Sequence, residues 1–430
     1  MTYRTPRFIN FASHTPEQLD QLAAACSPAT FGHENKDVYD ETYRKALKMD
    51  AADFVVQFDP TVSSLIGTIR ENLLQGQTEK MEIKPELYKL NVYGSLWCHF
   101  SLSIILSVPF STGKDSFFKP HVDTPRGTDM LGSLVIVYPT AHQGGELVLR
   151  HKRREWKFDA NALTSSQPSP SLAYVAFYSD LEHEVLKVTD GSRVTLTYNL
   201  YLVPVPHGPI SRVTGPPEPS GTTPVKPTLK SAWNLKERLH RLLKTPEFMP
   251  KGGTLVFNLA HMYPVTLDTK LEDMTAYLKG EDAHVYQSCQ ELGLEPILQM
   301  VYASGDEIST LGSGCGSPYI GVMMGAIAKE PEYDYTESNY QQSLMEEHGA
   351  VPVNLKNDVL STDLEFYWNW GWETPKDVPE QLTWVTGSFA ESMNQLRDAG
   401  VHYGNECSLE YIYSSPCLIV RIPPATGSRL

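Results

Sequence analysis

The sequence predicts an α+β protein: N-terminal helices, a central antiparallel sandwich or jelly roll, and a mixed C-terminal region. Three observations predict it. Helical apolar spacing dominates the first eighty residues. From Glu86 it gives way to two-residue alternation in short stretches, and Gly, Pro and Asp punctuate those stretches throughout.

The elements follow in order. Thr15-Pro16-Glu17 is a helix start, and Leu19, Leu22 and Ala23 give that helix an apolar stripe. Asp59-Pro60 repeats the signal, with Asp as N-cap and Pro at the first helical position. Behind it Val62, Leu65, Ile66, Ile69, Leu73 and Leu74 keep helical spacing, so 1–83 reads as a helical support region. Strands are expected at Leu87–Tyr93, Leu131–Tyr138, Gly145–Arg150, Leu172–Tyr178 and Arg193–Leu202, within a central domain 84–203. Eight prolines crowd the stretch 204–229, which cannot supply a ladder of N–H donors and reads as an exposed linker. The rest, 230–430, opens with an amphipathic helix at Lys230–Leu243. Strands are expected there at Gly253–Leu259, Pro296–Tyr302 and Cys417–Ile422. Periodicity leaves two alternatives for this C-terminal domain, a degenerate second jelly roll or an α+β accessory domain.

Length and charge narrow the function. A chain of 430 residues holds about two or three domains. A net charge of −15 and a pI near 5.3 argue against a nucleic-acid partner, because phosphate binding needs a basic face. The run Arg150-His151-Lys152-Arg153-Arg154 reads as a solvated hairpin. Six cysteines without a C-x-x-C pair, and an N-terminus without an apolar signal core, predict an intracellular protein of cytosol or nucleus.

The chemistry concentrates at Phe117-Phe118-Lys119-Pro120-His121-Val122-Asp123-Thr124-Pro125-Arg126. Residues i and i+2 of a strand share a face, so His121 and Asp123 can grip one ion together. With 13 His and 51 acidic residues, one such pair is expected by chance, and the motif alone is weak. Asp180-Leu181-Glu182-His183 supplies a second imidazole. Two histidines and one carboxylate leave open positions suited to Fe(II) oxygen chemistry, with zinc the runner-up. Arg193 follows His183 by ten residues, past a turn at Asp190-Gly191, and shares a strand face with Thr195 and Thr197. A guanidinium there can hold the distal carboxylate of a dicarboxylate through paired hydrogen bonds, with Thr195 adding one more. Each residue also has a bland reading as core histidine, turn, loop or surface charge. Together, in this order on a strand-rich background, they favour the site.

These residues resemble the 2-oxoglutarate/Fe(II) dioxygenase superfamily, in the branch similar to prolyl 4-hydroxylase catalytic domains. The likeness runs from about Phe54 to Leu202, with Gly144-Gly145-Glu146-Leu147 in place of that branch's glycine-rich turn and strand. It implies a double-stranded β-helix with iron at His121, Asp123 and His183. Further implications are 2-oxoglutarate on Arg193, O₂ as co-reactant, and Tyr93 as a cosubstrate donor. Thr124-Pro125-Arg126, Leu278-Lys279-Gly280 and Tyr403-Gly404-Asn405-Glu406 look like fungal members. The expected activity is hydroxylation of a protein side chain or a small molecule, with ascorbate as reductant. Rivals are a metal-binding jelly roll without oxygenase activity and an inactive product of this chain.

One departure stands out. Tyr93 and His121 are 28 positions apart, separated by the nearly uncharged segment Ser95–Gly113. It is broken by His99, Pro109 and several Ser, which argues against a membrane span. Its 19 residues correspond to 57 nucleotides, in frame, and codons for Gly94-Ser95 and Thr112-Gly113 can carry a GT donor and an AG acceptor. We read it as translated intron; the alternative is a natural lid or partner-docking hairpin. Excision leaves Tyr93 nine residues before His121.

Overall fold

The computed structural model describes residues 8–33, 36–74, 81–94, 115–205, 235–303, 320–327, 344–346, 348–354, 380–387, 412–414, 416–425 and 429. The segment Ser95–Gly113, nearly all of the 204–229 linker and Tyr403–Glu406 lie outside the described residues. The chain divides into two compact units: 1–70 with 81–218 and 400–409, and 71–80 with 219–399 and 410–430.

In the first unit, helix α1 (Pro16–Ala25) starts where Thr15 predicts. Thr15 and Gln18 form a reciprocal capping box, and Leu19 and Ala23 are buried. The second expected start behaves differently. Asp59 Oδ1 accepts from Thr61 N at 2.8 Å, an Asx turn, and helix α2 (Leu65–Leu73) begins only at Leu65. Val62, expected on its apolar face, is therefore exposed. Nor is the region wholly helical. It also forms strands β1 (Ser27–Pro28), β2 (Phe31–His33), β3 (Lys36–Val38), β4 (Arg44–Lys45) and β5 (Leu47–Asp50). These are two to four residues long, too short for alternation to register, and β1, β4 and β5 gain their hydrogen bonds from the central sheet.

The central strands are β6 (Met81–Gly94), β7 (Ser116–His121), β8 (Met130–Val137), β9 (His142–Gly144), β10 (Leu147–His151), β11 (Arg154–Phe158), β12 (Ala173–Tyr178) and β13 (Glu182–Pro204), with helix α3 (Ala160–Ser165) before β12. Every described pairing among them is antiparallel. The basic run forms the β10–β11 hairpin, where Arg150 pairs with Glu155, Glu182 and Glu184.

Strand β13 organises the unit. Its 23 residues exceed an ordinary strand because they serve two sheet sections. Residues 182–191 pair with β7, β9 and β10, and residues 192–204 with β6 and β8. The expected Asp190-Gly191 turn is instead a bend in this continuous strand. Gly191 takes φ +68°, and a Cβ there would lie 2.1 Å from the Ala141 carbonyl. Tyr93, Phe118, Leu147, Phe177 and Val185, drawn from both sections, belong to one buried cluster. The result is a strand-rich, jelly-roll-like unit.

The second unit carries helices α4 (Leu235–Leu243), α5 (Leu271–Met274) and α6 (Gly280–Glu291) and strands β14 (Gly253–Asn258), β15 (Tyr263–Val265), β16 (Ile297–Ala303), β17 (Ile320–Met324), β18 (Val351–Asn354), β19 (Glu380–Trp384), β20 (Ile412–Ser414) and β21 (Cys417–Ile422). A closed barrel runs β14-β19-β18-β17-β16-β21. Two of its pairings, β14 with β19 and β18 with β19, are parallel. Among the described residues the unit thus combines helices with a barrel of mixed parallel and antiparallel strands. Asp282 is buried in it and accepts from Ala260 N, His261 N and the Tyr263 hydroxyl. Burial raises its carboxyl above the ordinary range. No helix among the described residues is long and apolar enough to cross a membrane.

Candidate active site

Two adjacent strands bring the sequence-predicted residues together. His121 closes β7 and pairs in register with His183 at the start of β13. Their rings lie 4.2 Å apart by centroid, with Phe118 against His121 and Phe177 against His183. Asp123 follows on the loop after β7, and all three side chains are buried. One ligand atom from each lies within 4.8 Å of the others, and His183 Nε2 is 3.7 Å from Asp123 Oδ1.

Hydrogen bonds outside this group orient it. His121 Nδ1 lies 2.8 Å from the Lys119 carbonyl and His183 Nδ1 2.9 Å from the Leu181 carbonyl. A carbonyl only accepts, so each Nδ1 carries a proton, which leaves Nε2 as the nitrogen that a metal would take. The Ser133 hydroxyl donates to Asp123 Oδ2, while Oδ1 faces His183. Two imidazoles and a carboxylate fit a divalent ion with open coordination positions.

The cavity beside this group encloses about 560 Å³ of space, its open mouth included. Arg193, Thr195 and Tyr93 line it, and each is almost wholly buried. Arg193 pairs in register with Tyr93, and its guanidinium lies 5.6 Å from the tyrosine ring centroid. Among the described residues, Arg193 Nε and Nη2 have no hydrogen-bond partner. Burial pulls its pKa below the ordinary arginine value, and nearby Tyr93 opposes this. A buried guanidinium with unused donors fits an anion, which would satisfy them.

Several contributors are visible only in the fold. Ser133 anchors Asp123. Asn91 accepts from Arg44 Nη2 at 3.0 Å and donates to Thr197 at 3.3 Å. Gly145 takes φ +73°, and a Cβ there would sit 2.9 Å from Arg193 Cδ, so glycine keeps the arginine's path clear. Lys89 also lines the cavity. Lys89, Asn91 and Tyr93 alternate along β6, a signal present in the sequence. Such a polar alternation ordinarily marks a solvent face; here it faces a cavity.

Residues 107–201 match the 2OG-Fe(II) oxygenase superfamily, a stretch that starts inside Ser95–Gly113 and runs to Tyr201, where the pairing of β13 with β8 ends. The chain therefore contains a 2OG-Fe(II) oxygenase domain. It is a 2-oxoglutarate-dependent dioxygenase. No curated protein matches it. Similar solved structures include a 2OG-Fe(II) oxygenase family oxidoreductase from Burkholderia pseudomallei, 21% identical with a TM-score of 0.24, covering 43% of this chain and 78% of that one. Another is a Pseudomonas putida prolyl-4-hydroxylase, 17% identical with a TM-score of 0.23, covering 44% of this chain and 87% of that one.

Proposed function

We propose that this dioxygenase holds Fe(II) on His121, Asp123 and His183 and 2-oxoglutarate on Arg193, Thr195 and Tyr93, within a double-stranded β-helix. Its reaction hydroxylates a protein side chain in the manner of prolyl 4-hydroxylases. The observation that carries this reading is one cavity with a buried His-Asp-His group and a buried guanidinium whose Nε and Nη2 are unpartnered among the described residues. With iron bound, one oxygen atom of O₂ enters the substrate C–H bond and the other enters succinate as 2-oxoglutarate loses CO₂. The chain's own residues hold and orient. Lys119 and Leu181 carbonyls orient the imidazoles, Ser133 fixes the carboxylate, and Arg193 takes the distal carboxylate. Phe118, Phe177 and Val135 line the cavity with apolar surface, which limits water around the reacting atoms.

In this reading the enzyme is intracellular and of the fungal type, uses ascorbate to stay reduced, and acts on a protein or small molecule rather than nucleic acid. Cys26 and Cys289 are free thiols, in keeping with a reducing compartment. The test is mass spectrometry of candidate peptides incubated with Fe(II), ascorbate and 2-oxoglutarate under air. A gain of one oxygen atom, with matching succinate, is expected. His183→Ala and Asp123→Ala should abolish both products and the bound metal. Undiminished succinate formation in both variants overturns the ligand assignment.

A further inference from the structure

We propose that Lys89 is a second cosubstrate-binding residue, whose ammonium receives the carboxylate at the keto-acid end of the oxo acid, opposite the end held by Arg193. The inference rests on the 2-oxoglutarate reading above and assigns a role to a side chain that reading leaves unused.

Sheet register places Lys89 between the two ends of the cavity. Across β6, β13 and β8, Tyr93 stands opposite Arg193, Asn91 opposite Thr195 and Val137, and Lys89 opposite Thr197 and Val135. The next row toward the metal group contains Ser133 opposite Asn199, and Ser133 is the residue bonded to Asp123. Lys89 is thus one row from the carboxylate's anchor and two rows from Arg193. Two rows along a strand are about 13 Å. A five-carbon dicarboxylate with a hydrogen bond at each end spans about 12 Å.

The side chain is also held ready. Lys89 is only 4% exposed, and its Nζ lies 4.3 Å from the Tyr88 ring centroid. The register slips between Thr197 and Tyr198, so Tyr88 is an extra residue in β6, and its side chain lines the cavity with that of Lys89. Arg126 Nη2 donates to the Tyr88 hydroxyl at 3.0 Å and keeps the ring in place. Charge points the same way. In a chain of net charge −15, the described cavity lining holds Arg44, Lys89 and Arg193 against one carboxylate, Asp123. Arg44 donates to the Thr30 carbonyl and Asn91. Lys89 and Arg193 stand two rows apart on the cavity wall, where the two negative ends of a dicarboxylate would reach them.

The test measures binding of 2-oxoglutarate, and of oxalate, which reproduces the chelating end alone, to the Mn(II)-loaded full chain. Lys89→Met should weaken both ligands by about tenfold or more, and Lys89→Arg should recover part of the loss. Arg193→Met should weaken 2-oxoglutarate and spare oxalate. Lys89→Gln, checked by thermal unfolding, replaces the Met variant if that one fails to fold. Unchanged affinity for both ligands overturns the proposal. So does a loss confined to turnover, which would move the ammonium onto the primary substrate. Failure of the wild-type chain to bind 2-oxoglutarate instead overturns the cosubstrate reading beneath it.

Discussion

Replacing Arg193 by methionine should move stability and cosubstrate affinity in opposite directions. The guanidinium is buried with Nε and Nη2 unpartnered among the described residues, so the ligand-free protein bears the desolvation of these donors. One such group costs about 1–3 kcal/mol. Methionine keeps the apolar stem and removes that cost, while losing the contact with Tyr93, about 0.5–1 kcal/mol. The net gain for the ligand-free variant is about 1–2 kcal/mol, or roughly 2–8 °C in Tm for a unit of this size. Binding should fall. A charge-assisted bidentate contact contributes about 1.5–3 kcal/mol, so the 2-oxoglutarate constant should rise about ten- to hundredfold. Arg193→Lys should recover part of the affinity, because it keeps the charge and loses the fork. Thermal unfolding with and without 2-oxoglutarate, on the Mn(II)-loaded protein, reads both quantities. A variant that is less stable without ligand and binds 2-oxoglutarate unchanged would refute the assignment.

Three other outcomes are expected. Gly145→Ala puts a methyl at φ +73° against Arg193 Cδ, so the apparent 2-oxoglutarate constant should rise by about tenfold with the metal still bound, as titration would show. Deleting Ser95–Gly113 should leave a folded, metal-binding protein of improved solubility, because Ser116 Oγ donates to the Gly94 carbonyl at 3.3 Å and only Lys114 and Asp115 need bridge the ends; an unfolded product argues for the natural-hairpin alternative, and transcripts that all retain the 57 nucleotides end the intron reading. His142 is buried against its ordinary titration, with Arg193 adding to the effect, so its folded pKa lies below the unfolded value near 6.5. Its stabilising contribution is complete above that pH and is lost as pH falls toward the folded pKa. Denaturant unfolding from pH 7 to 5 should show a shallower decline in His142→Gln.

Different physical signals decide what was legible in the sequence. Long strands read directly: β8 from its apolar run Leu134–Val137, and the second half of β13 from the alternation of Val194, Leu196, Tyr198, Leu200 and Leu202 with polar residues. His121, Asp123, His183 and Arg193 line one cavity for a reason only partly written in their spacing: cross-strand register joins His121 to His183, while Asp123 reaches in from the loop after β7. β1, β4 and β5 did not read directly, since two- to four-residue strands owe their hydrogen bonds to neighbours distant in sequence. Asp59-Pro60 misled because an aspartate that satisfies Thr61 locally ends in a turn as readily as in a helix cap. Lys89 and Ser133 went unnoticed for another reason. Their roles come from cross-strand register, and a single strand's pattern carries no record of what lies opposite.

Strand β13 also sets which changes of length the gene can tolerate. His183 and Arg193 lie on this one strand, ten residues apart, and both line the cavity. The stretch between them already carries register shifts against β7 and β9 and the bend at Gly191, so deleting or adding one residue turns one of the pair out of the cavity unless those irregularities are rebuilt. Adding two keeps both facing inward but moves them apart by about 7 Å, more than an oxo acid of fixed length can span. Insertions are thus excluded from the stretch between the second histidine and the arginine. The connection between β6 and β7, whose flanking ends already meet at Gly94 and Ser116, has no such bar.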